Sequence, residues 1–98
     1  MKSESAFRTS FINKLKSLSP DIMVEFADPK KVNGIPDLII FCRKKYARIE
    51  TKRSSTASKR LHQEYYINLF KSQGIYATFL TPENEEEVLN ELRRYFKI

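Results

Sequence analysis

The residue types that could do hydrolytic chemistry gather in one stretch, Gly34 to Lys52, GIPDLIIFCRKKYARIETK. Asp37 follows Pro36 at the mouth of an apolar run, and Glu50-Thr51-Lys52 closes the stretch. Leu38 to Cys42 shows no polar alternation, which predicts a strand covered on both faces. Arg43-Lys44-Lys45 is too polar to bury and predicts the turn, with Tyr46 to Lys52 returning as a second strand. Side chains alternate along a strand, so Arg48, Glu50 and Lys52 share one side, while Ala47, Ile49 and Thr51 take the side a core wants. A carboxylate and an ammonium then sit together, beside a hairpin partner that begins with Asp37. Two carboxylates from adjacent strands and one lysine can hold a magnesium ion and place a water. Each half also has a plainer account. Aspartate after proline at a strand start is common turn chemistry, and Glu-x-Lys on a strand face is common as a solvated charge pair of little energetic weight. Their joint placement around one hydrophobic hairpin in a basic chain is what points to a site.

The elements around this hairpin follow from periodicity. Phe7, Phe11, Leu15 and Leu18 recur at helical spacing behind Ser3, an N-cap type, and predict a first helix. At about 100° per residue Glu4 falls in the middle of that apolar arc. It is either a first-turn acid favoured by the helix dipole or a group held at a polar site adjoining the core. Ser19-Pro20-Asp21 stops the helix, and Ile22 to Ala27 reads as a first strand. The basic, turn-rich loop Asp28 to Gly34 immediately precedes Asp37, so Lys30 and Lys31 would hang over the site within reach of phosphates. After Lys52 a polar stretch, Arg53 to Arg60, leads into a second helix ending near Gln73, with Gly74 as its cap. Leu61, Tyr65, Tyr66, Leu69 and Phe70 form its expected buried arc, with Gln63 and Lys59 at the edge and His62 on the surface. Ile75 to Leu80 reads as a buried strand. Thr81-Pro82 caps a third helix at its first position, with acids in its first turn and Val88, Leu89, Leu92, Tyr95 and Phe96 inward. Helix, three strands, helix, strand, helix makes an α/β fold with a small mixed central sheet flanked by helices. The last strand, reached through a crossover helix, should run parallel to the one before it.

Bulk properties narrow the class. Ninety-eight residues, 41% hydrophobic, suit one domain, 1–98, with a single core. One cysteine, Cys42, excludes an internal disulfide, and with one histidine it excludes the usual structural zinc sites. No run is long enough to span a membrane and no leader pattern stands at the start, so a cytoplasmic chain is expected. The net charge of +6 hides an asymmetry, since residues 1–80 carry fifteen Lys or Arg against seven acids. Such a field suits nucleic acid, with Arg53, Lys59 and Arg60 joining Lys30 and Lys31 as candidate phosphate contacts. The acidic start of the third helix is expected to face away from that partner.

Pro36-Asp37 followed by Glu50-Thr51-Lys52 resembles the PD-(D/E)XK nuclease signature. Gln63, with Tyr66 three residues on, Gly74 eleven residues on and the strand-like Ile75 to Leu80, resembles its VRR-NUC branch, small stand-alone members of which come largely from phages and bacteria. The resemblance runs from Glu4 to about Leu80. It departs where Ser58-Lys59-Arg60-Leu61 replaces the usual Leu-Ser before the glutamine. It implies a restriction-endonuclease-like core and a Mg2+- or Mn2+-dependent DNA endonuclease. Asp37, Glu50 and the Thr51 carbonyl would ligate the metal, with Glu4 facing it from the first helix. Lys52 would act on the attacking water, and Gln63 would brace Lys52 or the water. Small stand-alone members are similar to Holliday junction resolvases acting as homodimers, which implies a homodimer here; the exposed aromatics available to an interface are Tyr46, Tyr65, Tyr76 and Tyr95. A flap or branched-DNA nickase, and a basic DNA-binding module that cuts nothing, are the alternatives.

Overall fold

The structure, a computed structural model, describes residues 3–98. Its elements come in the expected order: α1 (Glu4–Lys16), β1 (Ile22–Phe26), β2 (Leu38–Cys42), β3 (Lys45–Thr51), α2 (Leu61–Ser72), β4 (Tyr76–Leu80) and α3 (Glu85–Phe96). The sheet is mixed, in the order β1-β2-β3-β4, with β1, β2 and β3 antiparallel and β4 parallel to β3.

Ser3 caps α1 as its residue type predicts, its hydroxyl accepting the Ala6 N–H at 3.1 Å. Phe7, Phe11 and Leu15 of α1 and Val88, Leu92 and Phe96 of α3 pack on one face of the sheet, where Leu38, Ile40, Cys42, Ala47, Ile49 and Leu80 complete the core. Complete burial of side chains such as Phe11, Leu15 and Leu92 is worth about 1.5–3 kcal/mol each and holds the two helices to that face. Helix α2 covers the opposite face, over β3 and β4. Because α2 lies on that half of the sheet, β2 is not buried evenly. Leu38, Ile40 and Cys42 are buried on the core side, while Ile39 and Phe41 stay half-buried. The β2–β3 turn is also tighter than expected. Cys42 pairs with Lys45, leaving only Arg43-Lys44, and Arg43 takes the left-handed conformation (φ 59°) that two-residue hairpin turns demand.

Helix α2 is rotated from its expected arc. Ile67 is its buried residue, Leu61 is 82% and Tyr65 59% exposed, and Gln63, Tyr66 and Phe70 lie at the half-buried flank. The strand surface beneath carries Arg48 and Glu50, which an amide and a ring face can partner and a leucine cannot. Three of the four tyrosines expected outside are packed. Tyr95 donates to the Tyr46 carbonyl at 2.9 Å and Tyr76 to Glu91 at 2.6 Å, and only Tyr65 is exposed. Helix α3 begins three residues later than Pro82. Thr81 and Asn84 first exchange hydrogen bonds (Thr81 N–H to Asn84 Oδ1, 2.8 Å; Asn84 N–H to Thr81 Oγ1, 3.3 Å), making one turn before Asn84 caps the helix. Among the described residues no helix is long and apolar enough to cross a membrane.

Gly34 and Gly74 both have positive φ (84° and 78°), but their surroundings differ. A Cβ on Gly34 would collide with His62 Cβ and lie 2.7 Å from the His62 carbonyl carbon, whereas one on Gly74 meets nothing. The loop before Asp37 therefore touches the first turn of α2 backbone to backbone. Gly74→Ala should cost about 1–2 kcal/mol, the left-handed penalty alone, and Gly34→Ala about 1–3 kcal/mol more from overpacking. Urea unfolding of the two variants at constant m-value checks the ordering, and equal losses would show that the loop can yield.

Candidate active site

The register of β2 and β3 assembles the site. Leu38 pairs with Ile49 in the core, so the preceding Asp37 comes level with Glu50. The Asp37 N–H donates to Glu50 Oε1 at 3.2 Å, and the Thr51 N–H donates to Asp37 Oδ1 at 2.9 Å. Lys52 lies one residue beyond β3 but continues its ladder, its N–H donating to the Leu80 carbonyl at 2.8 Å. As the alternation predicts, Ala47, Ile49 and Thr51 face the core. Arg48, Glu50 and Lys52 share the other side, where α2 buries them as well.

Gln63, in the first turn of α2, joins the two functional groups of β3. Its carbonyl accepts Lys52 Nζ at 2.7 Å and the Arg60 N–H at 3.1 Å, and its amide donates to Glu50 Oε2 at 3.2 Å. An ammonium only donates and a carboxylate only accepts, so these partners set the amide's orientation. The rotation of α2 thus brings Gln63, expected at the edge of the buried arc, inward onto Glu50 and Lys52.

Two arginines that sequence reasoning did not place in the site belong to its frame. Arg8 Nη1 donates to Asp37 Oδ2 at 3.1 Å. Its signal was present, since it stands four residues after Glu4 and therefore on the same helix face. Arg48, 7% exposed, has no carboxylate partner. It donates to the carbonyls of Pro36 (3.0 Å) and Leu38 (3.4 Å) and lies 4.6 Å over the Phe70 ring, clamping the backbone on both sides of Asp37. Burial pulls its pKa down.

These groups open onto a cleft of about 550 Å³ lined by Glu4, Arg8, Asp37, Glu50, Lys52 and Gln63, with Arg53 and Arg60 on its rim. Of the other candidate phosphate contacts, Lys59 lies 5.1 Å over the Phe79 ring, and Lys30 and Lys31 are exposed on a loop whose Pro29, Asn33 and Gly34 line the cleft while the lysines do not. The acidic start of α3 is not remote from the site. It begins at the same end of the sheet because it follows Leu80, the partner of Thr51, and Glu83 accepts the Ser55 N–H at 3.2 Å. None of the acids from Glu83 to Glu91 lines the cleft.

A solved structure described as a "VRR_NUC domain protein" superposes with a TM-score of 0.74 at 20% identity, over 98% of this chain and 89% of that one. This chain has the VRR-NUC fold. Neither a protein-family model nor a curated protein matches it significantly. The expected α/β architecture with a mixed central sheet is thereby shown in full, and the match reaches beyond Leu80 to include α3.

Within this VRR-NUC fold the donor chemistry fits a hard divalent cation. Asp37 and Glu50 bring two carboxylates together, and each of their four oxygens has one hydrogen-bond partner, which leaves lone pairs open. Among the described residues no third His, Cys, Asp or Glu joins them as a ligand cluster. Glu4, expected to face the metal from the first helix, is an exposed residue that lines the same cleft. Thr51 holds Asp37 through its N–H, while its hydroxyl is buried with no partner.

Burial, and then the charge of Asp37, raise the Glu50 carboxyl from its ordinary value of 4.5 to about 7, against the opposing pull of Lys52. The folded state therefore holds this proton more tightly than the unfolded chain. Glu50 costs no stability below pH 4.5, the cost grows up to about pH 7, and it is constant above. In metal-free buffer, Glu50→Gln should flatten the fall in Tm between pH 4.5 and 7 and raise the Tm at pH 8 above wild type. A variant with the wild-type slope would locate the titration elsewhere.

Proposed function

We propose that this chain is a divalent-metal-dependent endonuclease that hydrolyses DNA phosphodiesters at the cleft between α1 and α2. The observation that carries the reading is the Glu50–Gln63–Lys52 chain of hydrogen bonds beside Asp37, in a cleft with arginines on its rim. Asp37 and Glu50 would hold Mg2+ or Mn2+, which when bound offsets charge on the phosphate. Glu50 must be deprotonated to do so, and its neighbour Asp37 is already oriented by Thr51 and Arg8. Gln63 fixes the Lys52 ammonium, which orients the attacking water and offsets charge gathering on the phosphate oxygens. In the hydrolysis the attacking water gives up a proton as its oxygen bonds to phosphorus, the bond to one sugar oxygen breaks, and that leaving oxygen takes up a proton. Arg53 and Arg60 draw the polyanion in without reading sequence.

The finer reading is resolution of four-way junctions by a homodimer. One chain carries one Asp37–Glu50–Lys52 set, a junction presents two equivalent strands, and two-fold symmetry supplies the second site and doubles the positive field. With Tyr46, Tyr76 and Tyr95 packed, Met23, Phe26, Val32, Leu61 and Tyr65 are the exposed large hydrophobic side chains among the described residues that could serve an interface.

A gel with a four-way junction, a flap and a linear duplex tests both levels. Cleavage should require Mg2+ or Mn2+, and Asp37→Ala or Glu50→Ala should lower the single-turnover rate by at least about a thousandfold while binding in calcium persists. Lys52→Ala should slow the step with metal binding intact. Full activity in either carboxylate variant removes that residue from the assignment, and binding without any metal-dependent cut favours the binding module.

The dimer is tested separately. Light scattering at micromolar concentration should return about twice the 11.6 kDa chain mass, and wild type mixed with Glu50→Ala subunits should yield nicks instead of resolved duplexes. A monomer that makes paired symmetric cuts overturns the dimer and leaves the hydrolysis standing.

A further inference from the structure

The strand next to Asp37 ends in an aromatic side chain that the fold leaves open. Phe26, the last residue of β1, pairs with Leu38 and is 64% exposed. The following residue, Ala27, donates its N–H to the Asp37 backbone carbonyl at 2.9 Å, so the end of β1 runs beside the backbone of Asp37, while the pairing with Leu38 puts the Phe26 ring on the α1 side of the sheet. Arg8 joins the two. Its guanidinium carbon stands 5.6 Å from the Phe26 ring centroid while its Nη1 contacts Asp37. Leaving a phenylalanine this exposed forgoes most of the hydrophobic stabilisation its ring could supply, and the side chain is not part of the core below. Isolated exposed apolar residues are ordinary. A ring face held by a cation at the edge of a polar, arginine-rimmed cleft is a different arrangement.

That arrangement suits a nucleobase. Every base has a π-face, and stacking on an aromatic side chain is tolerant of sequence. Within a duplex the faces are already occupied by neighbouring bases, so away from the ends a flat ring at the protein surface can take only a base that has left the stack. Arg8 stands between the ring and the Asp37 carboxylate, so a base on the ring would lie next to that carboxylate and not on it. We propose that Phe26, backed by Arg8, is a subsite for an unpaired DNA base adjoining the phosphate to be cut, and that it makes the cleft selective for branched or frayed DNA over continuous duplex. The proposal rests on reading the cleft as a nuclease centre and names the substrate feature that centre selects.

The test is a binding measurement in EDTA, where nothing is cut. Fluorescence anisotropy would compare a blunt duplex with the same duplex bearing a five-nucleotide single-stranded tail, using 2-aminopurine as the first unpaired base. Wild type should prefer the tailed DNA and change the 2-aminopurine emission. Phe26→Ala should lose about fivefold or more in affinity for the tailed DNA with little change for the blunt one. Phe26→Trp should keep the preference, and Phe26→Leu, which keeps apolar cover without a π-face, should lose it. Equal weakening toward both DNAs, retention of the preference by Phe26→Leu, or a Phe26→Ala variant whose only change is its mass by light scattering would each overturn the subsite. Each variant's thermal melt shows that it is folded, and the Phe26→Trp result stands even if Phe26→Ala is not. Preference for the tail without metal-dependent cleavage would uphold the subsite and reject the nuclease; cleavage without the preference would do the reverse.

Discussion

The pairing of Leu38 with Ile49 holds both the core and the site in place. These two side chains close the buried layer under α1 and α3, and the same register brings Asp37 level with Glu50 on the opposite face. A slip of one residue would turn Ile49 out of the core and Glu50 into it. The free energy that enforces hydrophobic burial therefore also enforces the placement of the two carboxylates. Strand β3 carries this double duty because it pairs on both sides, antiparallel with β2 and parallel with β4. Its parallel ladder extends past Thr51 to fix Lys52 as well.

The other face of β3 is costly. Arg48, Glu50 and Lys52 are all buried, and ionised groups out of water destabilise a fold unless each finds partners. The solution is local and asymmetric. Arg48 is satisfied by two backbone carbonyls and a ring, which also hold the chain on either side of Asp37. Lys52 and Glu50 share Gln63. Glu50 remains the strained member, its proton favoured by burial and by Asp37.

Helix α2 is positioned by these polar demands as much as by its own apolar residues. It leaves Leu61 and Tyr65 in solvent and turns Gln63, Ile67 and Phe70 inward. The loop before Asp37 meets its first turn at Gly34, and Asn33 contacts His62 at 2.7 Å. The cleft is thus closed on one side by backbone-to-backbone contact, while Glu4 and Arg8 of α1 line another part of its wall.

The amino-acid sequence by itself determined the order of elements, the core faces of α1, β3 and α3, and the grouping of Asp37, Glu50 and Lys52. Each is written in local periodicity, in cap and turn residues, or in the alternation of a strand. Gln63 was named through the family resemblance, not through spacing, which left it on a helix flank. Only the tertiary structure decided the rotation of α2, the burial of Arg48, the approach of Arg8 to Asp37 and the packing of Tyr46, Tyr76 and Tyr95. Periodicity reports which side chains share a face; it carries no information about what that face will meet. A helix laid on an apolar surface turns its leucines down, and the same helix laid on Arg48 and Glu50 turns down an amide and a ring, because an unpartnered charge out of water costs more than an exposed leucine.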